Sequence, residues 1–402
     1  MNLLLCLISH QHVPNLLPVH ELRPDWLILL VTKPMEEAAN NLIKALAIGG
    51  LDYLTRYDMM DLGDPDSLDR TKQVLKAAYE LYPDADWTVN LTGGTKPMSI
   101  AAYEFFKGRA RMIYVSERDQ SKAIDLSGGS PIPLNHKISP QEFIAGYGFD
   151  VFNPEAIRKN EERATRWFDL AVEIAARGQE SDIRGFLGKL FCISQSKEGR
   201  NRGLVIDESD ELYIMDTELR TKIASTFALS FKDWTLSGTL DKYAVRFFTG
   251  GWLEVFSWGM LKMLEGRGLW DCRLGVQVGK KGQKLENDLD AVFMTDQALR
   301  IVECKSGGQE QDRRGDNTLY KIEAIRKQLG AIKVKSYLVT TSNNIIDPET
   351  KNVREHLATR AKHYDCTIID PEKIFRIAQM MRSADPGVSE KISELFNIIR
   401  RS

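Results

Sequence analysis

The sequence predicts a multidomain α/β protein, and three observations lead to that prediction. Its 402 residues exceed the length that a single hydrophobic core usually serves. The first third of the chain alternates apolar strand-like runs with helix-like segments, which is typical of a mostly parallel sheet covered by helices. The last third places a helix before several strands, followed by a helix, another strand and further helices, and this order predicts a second α/β domain.

Residues 1–148 are predicted to form the first of these domains. The predicted strands are Leu3–Ser9, Trp26–Thr32, Tyr53–Tyr57, Trp87–Leu91 and Met112–Val115, and the predicted helices are Pro34–Ile48, Ser67–Tyr82 and Met98–Phe106. Because the strands alternate with helices, we expect a parallel sheet with helices on both faces. The loops that follow the strands should then meet at one edge, where such sheets bind ligands.

Residues 149–240 differ in pattern and are predicted to form a connector. Ala156–Ala176 is predicted to be a long helix and Ile183–Phe191 a shorter one. Gly203–Met215 predicts two short strands around the polar turn Glu208-Ser209-Asp210. Helices followed by a hairpin are typical of a winged-helix-like module, but a purely structural connector would have the same pattern.

The composition is that of an ordinary globular protein, with 43% hydrophobic and 27% charged residues and a formal net charge of −2. This balance counts mildly against a nucleic-acid-binding protein but leaves room for a local basic groove. No run has the features of a signal peptide or a membrane span, so we expect no membrane partner. Scattered cysteines fit a reducing cytoplasm, where we expect the protein to act; they are Cys6, Cys192, Cys272, Cys304 and Cys366.

The strongest chemical signal lies within Leu285–Ser306, in the C-terminal domain predicted over residues 241–402. This stretch predicts a β-hairpin with a turn at Thr295-Asp296-Gln297. Asp290 lies on the polar face of the first strand. Glu303 and Lys305 are two residues apart on the second strand, so they project from the same face. Pairing of the strands can bring Asp290 beside Glu303.

Two carboxylates and an ammonium group at one sheet edge suit phosphodiester hydrolysis. Carboxylate oxygens bind Mg²⁺ and Mn²⁺, and the carbonyl of Cys304 is a further candidate ligand. A bound ion lowers the pKa of its water and polarises the phosphoryl oxygen. Lys305 can orient that water and stabilise developing negative charge. An ion pair on a solvated strand would leave the same pattern, so the motif alone does not decide.

Glu254 adds a third carboxylate at the start of a helix that is apolar nearly all round. A buried acid is costly unless it is paired or binds a metal, although a glutamate near a helix N-terminus also interacts favourably with the helix dipole. With Glu254, Asp290 and Glu303-Cys304-Lys305, the region resembles the PD-(D/E)XK nuclease superfamily. The later helix and strand of that family would be Asn317–Leu329 and Ser336–Thr340.

This resemblance implies a restriction-endonuclease-like domain with four catalytic residues, Glu254, Asp290, Glu303 and Lys305. It places Mn²⁺ or Mg²⁺ at Asp290 and Glu303, Lys305 at the reacting water, and Glu254 in support. Asp288 lies on the same strand face as Asp290, so strand direction does not show which of the two is the main ligand. Asp290 matches the family pattern better.

The second signal is a glycine-containing loop between a strand and a helix in the N-terminal domain. The loop Thr92-Gly93-Gly94-Thr95-Lys96 combines close backbone approach at glycine with a helix N-terminus, which is suited to binding phosphate. The loop Ser9–Asn15 follows the first strand and should lie at the same sheet edge. The candidate ligand-binding residues are Ser9, His10, Gln11, Asn15, Thr92, Gly93, Gly94, Thr95 and Lys96. The loop lacks both nucleotide-binding glycine motifs, and a tight turn alone would also use two glycines.

These two loops resemble the ligand-binding motifs of the Rossmann-like CARF sensor domain of type III CRISPR systems. A CARF domain joined to a PD-(D/E)XK domain resembles the CRISPR-associated nucleases that cyclic oligoadenylate activates. The resemblance implies a homodimer that binds one cyclic oligoadenylate, most often cyclic tetra-adenylate, across its two-fold axis. It further implies cleavage of single-stranded DNA or RNA, or nicking of duplex DNA, in antiviral defence.

Several further interpretations stay open at this stage. A basic cluster that surrounds the acidic motif could bind phosphates or could be a solvated surface; it comprises Lys280, Lys281, Lys284, Arg313, Arg314, Lys321, Arg326 and Lys327. The histidines of the first domain, His10, His12 and His20, lack the spacing of a metal site. The protein could instead be a ligand-responsive nucleic-acid-binding regulator with an inactive nuclease-like domain, or a DNA-repair or restriction nuclease that needs no ligand.

Overall fold

The computed structural model describes residues 1–178, 180–232, 234–282, 286–307, 316–330 and 334–398. In these ranges two large sheets flanked by helices are joined by a helical segment with a small sheet of its own. The α/β class predicted from the sequence is confirmed. No helix within the described ranges is both long enough and apolar enough to span a bilayer.

The N-terminal sheet has seven strands in the order β3-β2-β1-β4-β5-β6-β7. The first five strands run parallel, and the last two are antiparallel. The strands are β1 (Asn2–Leu7), β2 (Trp26–Val31), β3 (Tyr57–Asp61), β4 (Asp86–Asn90), β5 (Arg111–Tyr114), β6 (Lys122–Asp125) and β7 (Ile132–Pro133). The helices are α1 (Val13–Leu22), α2 (Glu36–Ile48), α3 (Leu68–Leu81), α4 (Lys96–Phe106) and α5 (Pro140–Gly146).

Two elements of this domain differ from the prediction. The strand predicted at Tyr53–Tyr57 is wrong, because the chain pairs only from Tyr57 onwards as the edge strand β3. Edge position leaves the side chains of β3 half-exposed, so the strand shows little alternation of polar and apolar residues. Helix α1 occupies part of the predicted Ser9–Asn15 loop, because Pro14 is tolerated in the first turn of a helix.

The middle of the chain is helical with a three-stranded antiparallel sheet, in the order β10-β11-β9. The predicted hairpin within Gly203–Met215 is wrong, because β9 pairs with β11 some thirty residues later. Asp207 accepts from the backbone of Ser209 at 2.8 Å and starts a single 3₁₀ turn there. The elements are β8 (Asp150–Val151), α6 (Pro154–Arg177), α7 (Ser181–Ser196), α8 (Gly199–Arg202), β9 (Leu204–Ile206), α9 (Thr217–Phe227), β10 (Ser230–Lys232) and β11 (Thr235–Leu240).

The C-terminal sheet has six strands in the order β16-β15-β14-β13-β12-β8. Its later strands are β12 (Asp271–Gly279), β13 (Glu286–Thr295), β14 (Ala298–Lys305), β15 (Lys335–Thr340) and β16 (Cys366–Ile369). The helices are α10 (Lys242–Arg246), α11 (Trp252–Lys262), α12 (Asp316–Gln328), α13 (Glu355–His363), α14 (Pro371–Arg382) and α15 (Val388–Leu395). The predicted hairpin, its turn and the later helix and strand are all present.

Hydrophobic cores cross both of the predicted domain boundaries. One apolar cluster joins the connector to the C-terminal domain, and α6 packs against both α11 and α14. Another cluster joins the N-terminal sheet to the C-terminal sheet through side chains such as Leu4 and Val292. Strand β8 comes before the connector helices but belongs to the C-terminal sheet. The domain boundaries at residues 148 and 240 therefore stay predictions, and the three parts of the chain pack directly against one another.

Two glycines inside α7 offer a test of local stability. Gly185 and Gly188 are exposed, and an added Cβ would meet no atom within 4 Å at either position. Replacing either with alanine is expected to stabilise the protein by about 0.5–1 kcal/mol, because glycine loses more backbone entropy in a helix. The check is a rise in the thermal unfolding midpoint. Gly259→Ala is the contrasting variant, because its Cβ would lie 2.0 Å from the Phe168 ring. Lower midpoints for Gly185→Ala and Gly188→Ala would contradict this prediction.

Candidate functional site

Asp290 lies where strand β13 loses its backbone partners on both sides. The pairing of β13 with β14 ends at Ala291 and Val302, and the pairing with β12 skips Asp290 and Gly275. Gly275 has a φ of +71°, which interrupts the regular strand. The Asp290 carboxylate instead accepts a hydrogen bond of 2.7 Å from the backbone N–H of Cys304. The predicted neighbourhood of Asp290 and the Glu303–Lys305 strand is therefore present.

Glu303 is the most buried carboxylate of this site, with a residue exposure of 1%. Its Oε1 lies 2.7 Å from the Nζ of Lys305 and 3.2 Å from the Nζ of Lys321. The contact with Lys305 agrees with the prediction that residues two apart share a strand face. Lys321, on α12, was predicted only as part of a basic cluster, and sequence distance concealed its contact with Glu303.

Glu254 reaches this region because a kinked segment brings the start of α11 against the end of β14. The kink spans Phe247–Gly251, and Gly250 has a φ of +138°. A Cβ on Gly250 would lie 2.7 Å from the Oγ of Ser306, and its positive φ favours glycine, so glycine suits this close approach. Further along α11, Ser257 contacts the Cys304 thiol at 3.3 Å.

The three carboxylates disturb one another electrostatically. Burial raises the pKa of Glu254 to about 7, with a further contribution from Glu303, although Lys305 opposes the rise. Burial, Glu254 and Glu303 together hold the pKa of Asp290 well above its ordinary range. Both shifts mean that ionising a carboxyl group here is costly, because the group is buried beside other carboxyl groups, and shifted pKa values of this kind are common at functional sites.

Asp288 and Asp290 differ in their surroundings, although sequence reasoning could not separate them. Asp288 is exposed, and its carboxylate accepts a hydrogen bond of 2.9 Å from Gln277. Asp290 is half-buried and interacts with Glu254 and Glu303. Of the two, it is Asp290 that lies at the acidic centre.

The basic cluster predicted around this motif is largely dispersed. Arg326 is buried and forms an ion pair of 2.7 Å with Glu323. Lys280 contacts Glu37, in the first domain, at 3.3 Å. Lys284, Arg313 and Arg314 lie outside the described residues. The described members therefore do not form one continuous phosphate-binding surface.

The two predicted ligand loops meet at the carboxyl edge of the N-terminal sheet. Strands β1 and β4 are parallel neighbours, so the chain leaves both at the same edge, as predicted. Buried Asn90 joins the loops: its Nδ2 donates to the Pro14 carbonyl and to Asn15 Oδ1, both at 2.8 Å. Asn15 in turn donates to the Leu7 carbonyl at 3.0 Å.

Helix α1 explains why Asn90 has this role. Pro18 lies inside α1 and has no N–H to bond the carbonyl four residues earlier, which belongs to Pro14. Asn90 supplies the missing donor. Asn15 lies in the first turn of α1 rather than in a loop, and its side chain is buried. Its amide therefore holds the two loops together.

The glycine-containing loop is fixed by close contacts. A Cβ on Gly93 would lie 1.9 Å from the Leu7 carbonyl oxygen, so only glycine fits there. Gly94 has a φ of +71°, in the left-handed region. Thr92 donates to Asn90 at 2.6 Å and accepts from the Val115 N–H at 2.8 Å. Thr95 is the N-cap residue of α4 and accepts from the Met98 N–H, while Pro97 has no N–H. Lys96 is exposed at the first helical position, so its backbone N–H and its ammonium group both lie at the positive end of the helix dipole.

The first loop contributes polar groups to the same edge. Ser9 donates to the Gln11 carbonyl at 3.4 Å, and Gln11 donates to Glu117 at 3.3 Å. His10 is exposed. His12 is buried against Phe143 and Tyr147 rather than solvated, and burial lowers its pKa to about 3.

His20 takes part in a cluster that sequence spacing could not predict. Its ring stacks on His136, with centroids 3.5 Å apart, and both rings approach Glu142 Oε1, at 3.3 and 2.8 Å. Histidine, cysteine, aspartate and glutamate side chains can bind metal ions. Within the described ranges, His20, His136 and Glu142 are the one group of three or more such residues whose potential metal-binding atoms all lie within 4.8 Å of one another. Its parallel rings suit two imidazole groups that share one carboxylate oxygen.

Comparison with known families identifies both large domains. Residues 3–143 match the Card1 CARF domain, and residues 241–382 match the Card1-like endonuclease domain. The chain belongs to the Card1-like CARF nucleases. The glycine-containing loop therefore lies in a CARF domain, and the acidic centre lies in an endonuclease domain.

Solved structures support this domain arrangement at the level of fold. Protein VC1899 from Vibrio cholerae is similar with a TM-score of 0.75 and 18% identity, over 96% of this chain and 98% of that one. Can2 from Sulfobacillus thermosulfidooxidans, solved with cyclic tetra-adenylate, is similar with a TM-score of 0.68 and 20% identity, over 95% of this chain and 99% of that one. A type III CRISPR defence DNA nuclease activated by cyclic oligoadenylate is similar with a TM-score of 0.54 and 19% identity, over 90% of this chain and 51% of that one. No curated protein matched the chain.

The acidic centre of the endonuclease domain has the donor set that a hard divalent cation prefers. Asp290 and Glu303 offer carboxylate oxygens. The Lys305 carbonyl accepts from the Thr341 N–H at 3.1 Å, so it points towards β15. Successive carbonyls alternate along a strand, which directs the Cys304 carbonyl to the Asp290 side. The Cys304 thiol contacts Ser257 instead. These residues fit Mg²⁺ or Mn²⁺.

Proposed function

We propose that this CARF nuclease is a divalent-metal-dependent endonuclease activated by a cyclic oligoadenylate, namely cyclic tetra-adenylate. It would act as a homodimer in the cytoplasm, in type III CRISPR antiviral defence. Its substrates would be single-stranded DNA or RNA, and duplex DNA that it nicks. The observation that carries the proposal is the convergence of Asp290, Glu303 and Lys305 in the endonuclease domain.

The proposed chemistry divides among the chain's own residues as in the PD-(D/E)XK superfamily. Asp290, Glu303 and the Cys304 carbonyl would hold Mn²⁺ or Mg²⁺, which when bound polarises the phosphoryl oxygen and acidifies water. Lys305 lies 2.7 Å from Glu303 Oε1, so its ammonium group is placed to orient that water and to offset charge on the phosphate. Glu254, with its pKa raised to about 7, would support the centre by hydrogen bonding.

The CARF domain offers a phosphate-binding edge for the activator. The start of α4 supplies the positive end of a helix dipole and the backbone N–H of Lys96. Polar side chains come from Lys96, Thr92, Thr95, Ser9, His10 and Gln11. A ring-shaped ligand on a two-fold axis makes the same contacts with two subunits. Helix α4 exposes Ile100 and Tyr103 three residues apart, which supports a contact between two copies beside the ligand.

A hydrogen-bonded junction links the CARF side to the hairpin of the acidic centre. Gln297, in the hairpin turn, accepts from the Ile138 N–H at 3.2 Å and donates to the His136 carbonyl. Trp270 donates to the Ile138 carbonyl at 2.9 Å. Cyclic oligoadenylate can shift such a junction only by binding one arrangement of the domains better than another.

A cleavage assay tests the proposal. Purified protein is incubated with labelled single-stranded DNA, single-stranded RNA and supercoiled plasmid, with Mn²⁺ or Mg²⁺, and with or without cyclic oligoadenylates. We expect cleavage that needs both metal and activator and that is lost in Lys305→Ala. Equal behaviour of wild type and Lys305→Ala would contradict the active-site assignment. Cleavage without activator would favour a ligand-independent nuclease, and nucleic-acid binding without cleavage would favour a regulator.

A further inference from the structure

A cavity of about 670 Å³ lies between the connector and the endonuclease domain, and Glu254 forms part of its wall. The volume falls in the range of about 300–1,000 Å³ that is usual for small-molecule pockets. Helix α6 contributes one side of the cavity and residues 194–201 contribute another. The rest of the wall comes from α10, the start of α11 and Leu274–Gly275 of β12. Because Glu254 faces both this cavity and the acidic centre, a strand bound in the cavity would pass beside the centre.

Three arginines line the cavity: Arg163, Arg200 and Arg246. None of them forms an ion pair with a carboxylate in the described part of the chain. Arg163 lies over the Tyr243 ring, 3.8 Å from its centroid, and donates to Asn160 at 2.7 Å. Arg246 donates to the backbone carbonyl of Arg200 at 3.1 Å. These hydrogen-bond and ring partners of Arg163 and Arg246 are neutral. Glu198 and Glu254 also line the cavity, and Glu254 interacts electrostatically with Arg200 and Arg246, so the wall has three cations for two carboxylates. An anion entering the cavity would therefore meet positioned donors.

Nearby arginines outside the cavity are arranged differently. Arg202, on the same short helix as Arg200, forms an ion pair of 3.2 Å with Glu198, and Arg158, on α6, contacts Glu162. Arg158 and Arg202 therefore have carboxylate partners, whereas Arg163, Arg200 and Arg246 form no ion pair in the described part of the chain. These three also differ from the cluster near β14, whose described members mostly contact carboxylates.

We propose that this cavity binds the nucleotide next to the scissile phosphate of a single-stranded substrate. Arg163, Arg200 and Arg246 would contact backbone phosphates, and the exposed part of Tyr243 would lie against the sugar or base. This inference rests on the proposed nuclease function and extends it, because it makes the connector part of the substrate site. Contacts of arginine with phosphate carry no sequence information, so the site would accept many sequences.

Binding measurements can test this site separately from catalysis. The probe is a short fluorescein-labelled oligothymidylate, titrated without metal into full-length protein that carries Lys305→Ala. We expect Arg200→Ala and Arg246→Ala each to weaken binding about tenfold, since each removes a hydrogen bond to a charged group. Each should also lower the slope of log affinity against log salt by about 0.7, the contribution of one phosphate contact in a single strand.

Arg184→Ala is the control, because it removes the same charge from an exposed position on α7 that does not line the cavity. It should leave both affinity and salt slope unchanged. Arg200→Lys and Arg246→Lys should recover part of the affinity, and unchanged thermal unfolding midpoints would show that the variants fold. The proposal is overturned if the double variant Arg200→Ala/Arg246→Ala binds the probe as tightly as its parent.

The same variants in the active background separate this inference from the proposed function. We expect the double variant to raise KM about a hundredfold with a smaller change in kcat, because it removes ground-state binding. If wild type cleaves and the double variant matches it in KM, the cavity assignment fails while the nuclease function stands. If wild type never cleaves but the double variant loses probe binding, the cavity is a single-strand-binding site and the nuclease function fails.

Discussion

Replacing Asp290 with asparagine is expected to abolish metal-dependent cleavage while raising the protein's resistance to thermal unfolding. The amide oxygen can still accept the hydrogen bond from the Cys304 N–H, so the local backbone should be kept. The variant nevertheless loses a negative ligand for Mn²⁺ or Mg²⁺. We expect the cleavage rate to fall at least about a thousandfold, because a weakened metal site no longer polarises the phosphoryl oxygen or lowers the pKa of water.

The gain in stability follows from the sign of the pKa shift. The folded protein holds the pKa of Asp290 well above its ordinary range, chiefly through burial. Asp290 therefore lowers stability at pH values above the ordinary carboxyl pKa, because the unfolded state ionises there while the folded state resists ionisation, and asparagine removes that cost. Active sites often hold such unfavourable charges in exchange for activity.

Two measurements test this prediction. Cleavage rates are measured with Mn²⁺ or Mg²⁺, and thermal unfolding midpoints are measured at pH 7 and above without added metal. Asp288→Asn is the matched control, because Asp288 lies two residues away on the same strand but is exposed. It should change neither quantity appreciably. An Asp290→Asn protein that cleaves normally, or an Asp288→Asn protein that does not cleave, would show that the structure assigns the wrong aspartate.

Gly93→Ala is expected to uncouple the nuclease from its activator. The new Cβ would lie 1.9 Å from the Leu7 carbonyl oxygen, whereas such contacts are normally longer than 3.0 Å. The loop Thr92–Lys96 must therefore shift by about 1 Å or more relative to β1. Misplacing a positioned group by about 1 Å can weaken the effect of its contacts about a hundredfold. We expect cyclic tetra-adenylate binding, and activation by it, to weaken by at least that factor.

Isothermal titration with cyclic tetra-adenylate and dose–response curves for cleavage would measure the loss. Gly185→Ala is the control, since it is the same substitution where no atom obstructs the side chain. At saturating activator the Gly93→Ala protein should recover cleavage, because the acidic centre is unchanged. Unaltered affinity for the activator would contradict the assignment of this loop to ligand binding.

The sequence predicted some features well because they depend on local pattern. The buried strands β1 and β2 are continuous apolar runs, and the hairpin β13–β14 follows from two apolar strands around the turn Asp296-Gln297. Glu303 and Lys305 share a face simply because side chains alternate along a strand. These features needed no knowledge of distant residues.

Features that depend on distant partners were missed or wrong. Strand β9 pairs with β11 rather than with its near neighbour, and β3 is an edge strand with weak alternation. Helix α1 contains Pro18, which leaves the Pro14 carbonyl without a helical donor, and Asn90 of β4 supplies that donor. Arg326 was predicted to be a surface cation but is buried against Glu323. None of these contacts leaves a periodic signal near the residue concerned.

The sequence by itself determined that this protein has a nuclease-like acidic motif and a phosphate-suited loop, because residue type and short spacing fix both. Tertiary structure decided the rest. It separated Asp290 from Asp288 by burial, brought Glu254 and Lys321 to Glu303, and placed Arg200 and Arg246 around a cavity beside them. Burial and electrostatic coupling arise only when helices and strands from separate parts of the chain pack together, and spacing along one strand cannot reveal them.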